Sequence, residues 1–264
     1  MTRYADDLAL AHVLADTADS IAMARFRAQD LRVTAKPDLT PVTDADTAVE
    51  KALRATLSRT RPRDGVLGEE YGASVAAAGP SQRQWVIDPI DGTKNFVRGV
   101  PIWATLVALM DGNEPVVGMV SAPALNRRWW AAKGLGAYAG RHTSTAAAIH
   151  VSGVSRLPDA SFCYSSLNGW EQAGRLDAIL EITRRAWRSR AYGDFYGYML
   201  VAEGAVDVMV EPELSLWDLA ALVPIVTEAG GTFTDLGGRP GPGGGSAVAT
   251  NGKLHTEIID RLSA

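Results

Sequence analysis

From about Tyr4 to Arg27, the apolar residues Leu10, Val13, Leu14, Ala18 and Ile21 recur at helical spacing. That period predicts an amphipathic helix with one buried face. The next stretch, KPDLTP, contains two prolines, which exclude a regular helix there. A second helix is expected from Thr43, with Thr43 or Asp44 as its N-cap and Val49, Leu53 and Leu57 on one face. RPRDG ends it at Arg61 or earlier.

After this the period changes. VLGEE and QWVIDPIDG are short apolar runs that end in acids. ATLVALM, EPVVGMVSA and RRWWAA read as strands of an antiparallel sheet, separated by DGN and PALN turns. Trp129 and Trp130 are then expected to pack on opposite sheet faces. Small and polar residues from Ala139 to Ile149 suggest a boundary, giving an N-terminal half, 1–140, and a C-terminal half, 141–264. Helices are expected over Leu176–Ala186 and Tyr196–Glu203, and a strand in GAVDVMVE. LWDLAALVPIVTEAGG reads as a helix with Asp218 near its start, a kink at Pro224 and Gly230-Gly231 as its stop. LGGRPGPGGG is loop, SAVAT a last strand, and a short helix closes the chain. No internal repeat is visible.

Composition adds limits rather than a fold. The 264 residues are 47% hydrophobic and 21% charged, in the range of an ordinary globular protein with a sizeable core. Net charge is −4, and no basic run is present, which argues against a nucleic-acid partner. The same acidity disfavours an anionic substrate unless cations reverse the local sign. The longest apolar stretch, Trp103 to Met110, is far shorter than the ~20 residues of a membrane span. No signal peptide is evident at the N-terminus, so a cytoplasmic location and no membrane partner are expected. Cys163, the single cysteine, excludes an internal disulfide and is expected to behave as a small buried hydrophobe.

The candidate chemistry lies in WVIDPIDGTKNF. An apolar strand is expected to end at Asp88, where Pro89 bends the chain out of the sheet. Asp91 follows three residues later, so a tight turn can aim both carboxylates at one point. Gly92 leaves room for a ligand against the backbone, and a helix starting at Thr93 offers free N–H groups to a phosphate. A solvated turn would also use Asp, Pro and Gly. Glu69, Asp218 and Asp46 each have a similarly plain reading, as a sheet-edge charge, a helix cap and a helix-start charge. Those readings account for the acids singly and not for their association.

GEE, then WVIDPIDGTKNF, then WDLAALVPIVTEAGG, in this order and at these intervals, resembles the inositol-monophosphatase family of metal-dependent phosphatases. The resemblance runs from VTDADTAVE to SAVATN. It implies a mixed α/β (α+β) fold, a layered α-β-α-β-α sandwich, and a homodimer. It also implies Mg²⁺, two or three per site, with Mn²⁺ as a substitute. All-oxygen ligands suit either cation, which would relieve the mutual repulsion of the packed carboxylates. By resemblance, Glu69, Asp88 and the Ile90 carbonyl bind one metal, and Asp88, Asp91 and Asp218 a second. Thr93 and Asp46 then orient the attacking water, while Gly92 and Thr93 hold the phosphate with Asn95 nearby. The family pattern often has a second Thr where this chain has Lys94, either a substrate-side charge or a plain surface lysine.

RSRAYGDFYGY resembles the histidinol-phosphate phosphatase branch, as do LNGW and NFVRGVPIW. Histidinol phosphate carries an ammonium and an imidazole, which gives acids at this end a purpose. Asp194 and Glu211 are the candidate partners, Asp194 alternatively being a cap or turn acid. Arg190 is expected either to contact phosphate or to brace Asp194. An inositol or sugar-phosphate monophosphatase is the alternative enzyme, and a binding protein that has lost catalysis is the alternative from another class.

Overall fold

The computed structural model describes residues 3–37, 39–74 and 82–263, so Asp38 of KPDLTP lies outside the described residues. Helix α1 spans Ala5–Arg25 and α2 spans Asp44–Thr60. Between them a short hairpin pairs β1 (Val33–Ala35) with β2 (Pro41–Thr43). Thr43 caps α2 in a capping box with Asp46, and Val49, Leu53 and Leu57 are buried as expected. The buried line of α1 differs from expectation. It runs through Ala11, Leu14, Ala15, Ala18 and Ala22, while Val13 is 52% exposed and Leu10 and Ile21 are half-buried. Close approach to the sheet and to α2 favours small side chains at the contact, so the larger apolar residues move to its margin or beyond.

Strands β3 (Gly65–Gly68), β4 (Gly72–Ser74), β5 (Arg83–Asp91), β6 (Ala104–Asp111), β7 (Glu114–Ala122), β8 (Arg127–Ala132), β9 (Ala137–Gly140) and β10 (Ala147–Ala148) form one sheet. Its order is β10-β9-β8-β7-β6-β5-β3-β4, with only β3 and β5 parallel. The second sheet contains β11 (Ser161–Tyr164), β12 (Arg188–Arg190), β13 (Val208–Glu211), β14 (Thr232–Thr234) and β15 (Ala247–Thr250), in the order β12-β11-β13-β15-β14. The helices of this part are α3 (Thr93–Arg98), α4 (Leu167–Gln172), α5 (Leu176–Arg185), α6 (Asp194–Ala202), α7 (Leu216–Leu219), α8 (Leu222–Glu228) and α9 (His255–Ser263).

Alternation along the strands sets the layers. Trp85, Ile87 and Trp130 face α1 and α2, whereas Val86 and Trp129 face the opposite way, toward α6 and α8. The far side of that middle helix layer is covered by Cys163, Met209 and Ala249 of the second sheet. The other face of the second sheet buries Phe162 and Val210 against Trp170 of α4, Ile179 of α5 and Ile258 of α9. The order is therefore helix, sheet, helix, sheet, helix. No helix among the described residues is long and apolar enough to cross a membrane.

Pro224 does more than kink its segment. Helix α7 stops at Leu219, and α8 begins at Leu222. Proline has no N–H for the carbonyl of Ala220 four residues back, and its ring crowds that carbonyl, so the helix divides there. Gly230, at φ +90°, ends α8, and the Gly231 N–H donates to the Val226 carbonyl at 2.9 Å. Helix α8 lies so close to β7 that a Cβ on Gly118 would sit 2.2 Å from the Ala221 carbonyl oxygen. Gly118→Ala is therefore expected to cost about 2–3 kcal/mol, read as a lower urea midpoint at unchanged slope.

Candidate active site

Strand β5 continues past Asp88 instead of ending there. Asp88 pairs with Leu106 and Asp91 with Ala104, so three steps on β5 oppose two on β6. That extra residue is a β-bulge, and its effect follows from parity. Residues three apart on a regular strand point to opposite faces. The bulge restores Asp91 to the face that carries Asp88, and the Thr105 hydroxyl holds it by donating to the Pro89 carbonyl at 2.8 Å. Helix α7 lies against the same strand and brings Asp218 to the pair. Carboxylate oxygens of Asp88, Asp91 and Asp218 fall within 4.8 Å of one another.

Glu69 arrives by register. The parallel pairing sets Gly68 beside Ile87, and the Glu69 N–H donates to the Ile87 carbonyl, which leaves the Glu69 carboxylate next to Asp88. The turn after it is braced from α2. Glu50, fully buried, accepts from the N–H groups of Glu70 at 2.7 Å and Tyr71 at 3.2 Å and from Arg54 at 2.7 Å. Lys36 reaches in from the hairpin and donates to Glu69 at 2.6 Å and Glu70 at 2.7 Å. Burial works against its ammonium, but these two hydrogen bonds outweigh it and raise the pKa.

The acids are crowded electrostatically. Burial, then Glu69, Asp91 and Asp218, pushes Asp88 well above the ordinary carboxylate range. Burial, then Asp194 and Asp218, does the same to Asp91, although Asp91 accepts the Phe195 N–H at 2.7 Å. Asp218 is pushed up to about 6, chiefly by burial, against the Ser215 N–H that it accepts at 2.7 Å. Among the described residues, the buried Asp88 Oδ1 has no hydrogen-bond partner. Oxygen donors with unspent capacity, raised pKa values and a shared focus fit a hard divalent cation. Asp88, Asp91 and Asp218, with Glu69 alongside, are the residues that would hold it.

Gly92, at φ +84°, turns the chain from β5 into α3, and a Cβ there would meet the Ile102 carbonyl at 3.0 Å and Asp194 at 3.2 Å. Thr93 donates its hydroxyl to the Ile90 carbonyl at 3.0 Å and lies 3.4 Å from Asp46 Oδ1. Asp46, buried and raised to about 6 mainly by that burial, is fixed through its other oxygen by the Thr43 N–H and hydroxyl at 2.8 and 2.5 Å. A cavity of about 560 Å³ opens between this corner and the second sheet, with Glu69, Thr93, Lys94, Asp194, Trp217 and Asp218 among its lining residues. Lys94 is exposed there, and its charge opposes the burial that raises Asp194.

Asp194 begins α6 at φ +47°, an uncommon backbone for a non-glycine residue, and accepts from Asn95 at 3.0 Å. Glu211 is fully buried behind it, accepts the Tyr198 hydroxyl at 2.7 Å, and is pushed up to about 8, chiefly by burial. Arg190 is not brought to the site. It is exposed on the edge strand β12, donates to the Ser189 carbonyl at 2.7 Å, and leaves Asn95 as the group that holds Asp194. Lys36, Glu50, Tyr192 and Trp217 were not singled out by sequence reasoning. Of these, Glu50 alone left a signal, a charged residue one helical turn from Asp46 on the otherwise apolar face of α2.

Carboxylates gathered for a hard cation, beside a backbone turn open to an anion, define a site of the cation-assisted phosphoester type. The chain belongs to the inositol monophosphatase family, whose model matches residues 5–264. It is similar to the histidinol-phosphatase of Streptomyces coelicolor, at 63% identity over 100% of this chain and 99% of that protein. It is also similar to the histidinol-phosphatase of Mycobacterium tuberculosis, at 58% identity over 98% of each chain. Among solved structures, an inositol monophosphatase from Zymomonas mobilis superposes with a TM-score of 0.86 at 34% identity, with both chains covered in full. The family is metal-dependent, and the fold agrees with the layered sandwich expected from the resemblance.

Proposed function

We propose that the protein is a Mg²⁺-dependent phosphomonoesterase that hydrolyses L-histidinol phosphate to L-histidinol and phosphate, a step of histidine biosynthesis. The convergence of Asp88, Asp91 and Asp218 within 4.8 Å beside the Gly92 turn carries the phosphatase reading. The full-length similarity to two histidinol-phosphatases supports the choice of substrate.

When bound, the divalent cations supply charge neutralisation at the phosphoryl group and make water more acidic. The residues do the rest. Asp88, Asp91 and Asp218, with Glu69 and the Ile90 carbonyl, would hold the cations. Thr93, set by Asp46, orients water for in-line attack on phosphorus; as the new P–O bond forms the ester P–O bond breaks, the water's proton passes toward that pair, and the departing alcohol oxygen takes a proton from solvent. Gly92 and Thr93 present their N–H groups to the phosphate oxygens. Asp194 lines the cavity toward the alcohol half, where the ammonium and imidazole of histidinol phosphate need a negative partner, with Glu211 buried behind it. Mn²⁺ is expected to replace Mg²⁺. A homodimer, supported by the family resemblance alone, and a cytoplasmic location belong to the same proposal.

The deciding experiment is a phosphate-release assay with purified protein, comparing histidinol phosphate, inositol 1-phosphate and sugar phosphates with and without Mg²⁺. A kcat/KM for histidinol phosphate about 100-fold above the others is expected. Comparable values for histidinol phosphate and inositol 1-phosphate would instead favour the inositol or sugar-phosphate alternative. No Mg²⁺-dependent release from any ester would leave only a binding role.

A further inference from the structure

Helix α2 carries two buried acids one turn apart. Asp46 faces Thr93, and Glu50 faces the turn between β3 and β4 that bears Glu69. Both oxygens of the Glu50 carboxylate are engaged. Oε2 accepts the Glu70 N–H at 2.7 Å, and Oε1 accepts the Tyr71 N–H at 3.2 Å and Arg54 Nε at 2.7 Å. Arg54 continues to the edge strand β4, where it donates to the Gly72 carbonyl and, at 3.1 Å, to the Ser74 hydroxyl. Gly68 lies directly beneath, and a Cβ there would overlap the Glu50 carboxylate.

These contacts leave the Glu69 backbone little freedom. Its own N–H is held by the Ile87 carbonyl of β5 at 3.2 Å, and the next two N–H groups are held by Glu50. That restraint opposes a force. Glu69 and Asp88 repel, and after burial Glu69 is the strongest influence raising Asp88. A turn free to relax would carry the Glu69 carboxylate away from its neighbours. With the turn held, the repulsion is relieved by a cation instead of by movement of the chain, and the ligands are already gathered when it arrives.

Resting on the phosphatase reading above, we propose that Glu50, with Arg54 behind it, is a positioning residue for Glu69 and sets the affinity of the site for its divalent cation more than the rate of the loaded enzyme. Glu50→Gln isolates the effect. An amide offers one acceptor oxygen where the carboxylate has two. With that oxygen toward Tyr71 and Arg54, the NH₂ group confronts the Glu70 N–H, and the peptide next to Glu69 is released.

The test measures Mn²⁺ binding to the cation-free full chain by electron paramagnetic resonance, beside the Mg²⁺ dependence of phosphate release. Glu50→Gln is expected to raise the Mn²⁺ dissociation constant and the half-activating Mg²⁺ concentration about tenfold, while kcat at saturating Mg²⁺ falls by less than about threefold. Arg54→Lys, the milder variant, raises the same two constants about threefold and decides the question should Glu50→Gln fail to fold. In a Glu69→Gln background, Glu50→Gln adds less than about twofold, because both act through one ligand. A merely structural role would lower Tm and leave the Mn²⁺ affinity of the folded protein where it was, and that result overturns the proposal. An undiminished loss in the Glu69→Gln background overturns it too, since Glu50 would then act elsewhere. Wild-type protein that binds Mn²⁺ but releases no phosphate from any ester defeats the earlier reading and not this one. An active wild type whose Mn²⁺ affinity equals that of Glu50→Gln defeats this one alone.

Discussion

Asp88→Asn is expected to lower kcat/KM for the phosphate ester by about 10³-fold while making the cation-free protein more stable at pH 8. The two effects have one origin. Asp88 is buried among Glu69, Asp91 and Asp218 and has one oxygen without a hydrogen-bond partner among the described residues, so its charge is costly until a cation arrives. An amide of the same shape removes that charge and with it a cation ligand. The stability gain is expected to be about 1–2 kcal/mol, and the added gain from Mg²⁺ should largely disappear. Steady-state kinetics and thermal melts with EDTA or Mg²⁺ measure both. Hydrolysis at the wild-type rate by Asp88→Asn would remove the basis of the assignment.

Cation-free protein should lose stability as pH rises from 7 to 8.5, and saturating Mg²⁺ should flatten that slope. Burial raises Glu211 to about 8 and holds Asp88 and Asp91 well above their ordinary values, while unfolded carboxyls titrate near ~4. A folded pKa above the unfolded one means that the folded state retains the proton more firmly. The resulting stabilisation is complete below the unfolded pKa and is lost as pH climbs through the folded one. Asp46 and Asp218, at about 6, have mostly ionised by pH 7, so Glu211, at about 8, sets the slope. His12 and His255 contribute little, because burial lowers both and leaves them neutral throughout this window. A loss of about 1 kcal/mol per pH unit, or roughly 3 °C in Tm, is expected from calorimetry in EDTA. A pH-independent Tm there would show that burial does not hold the Glu211 proton in solution.

Sequence periodicity recovered most elements because α2 and the long strands bury regular faces. Asp88, Asp91, Glu69 and Asp218 were legible as candidates because each ends or begins an apolar run. Their meeting point was legible only through the family resemblance, since it depends on a parallel register between β3 and β5 and on α7 crossing β5. The division of the Pro224 helix was half-read. Proline marks the position, but whether the lost hydrogen bond to the Ala220 carbonyl kinks or splits the helix is not written in the apolar pattern. Lys36 left no trace in the pattern, because a hairpin lysine becomes part of the site only when the hairpin folds over Glu69. Arg190 illustrates the opposite error, since its neighbours Tyr192 and Asp194 turn inward while it remains on an exposed edge.

The one-residue bulge after Asp88 makes this site a matter of chain length as well as chemistry. Its residues could all be kept and the ligand set still be broken, because excising one position would return the strand to strict alternation and swing Asp91 toward the tryptophan-lined layer under α1. Substitution scans, which never alter spacing, are blind to that kind of information.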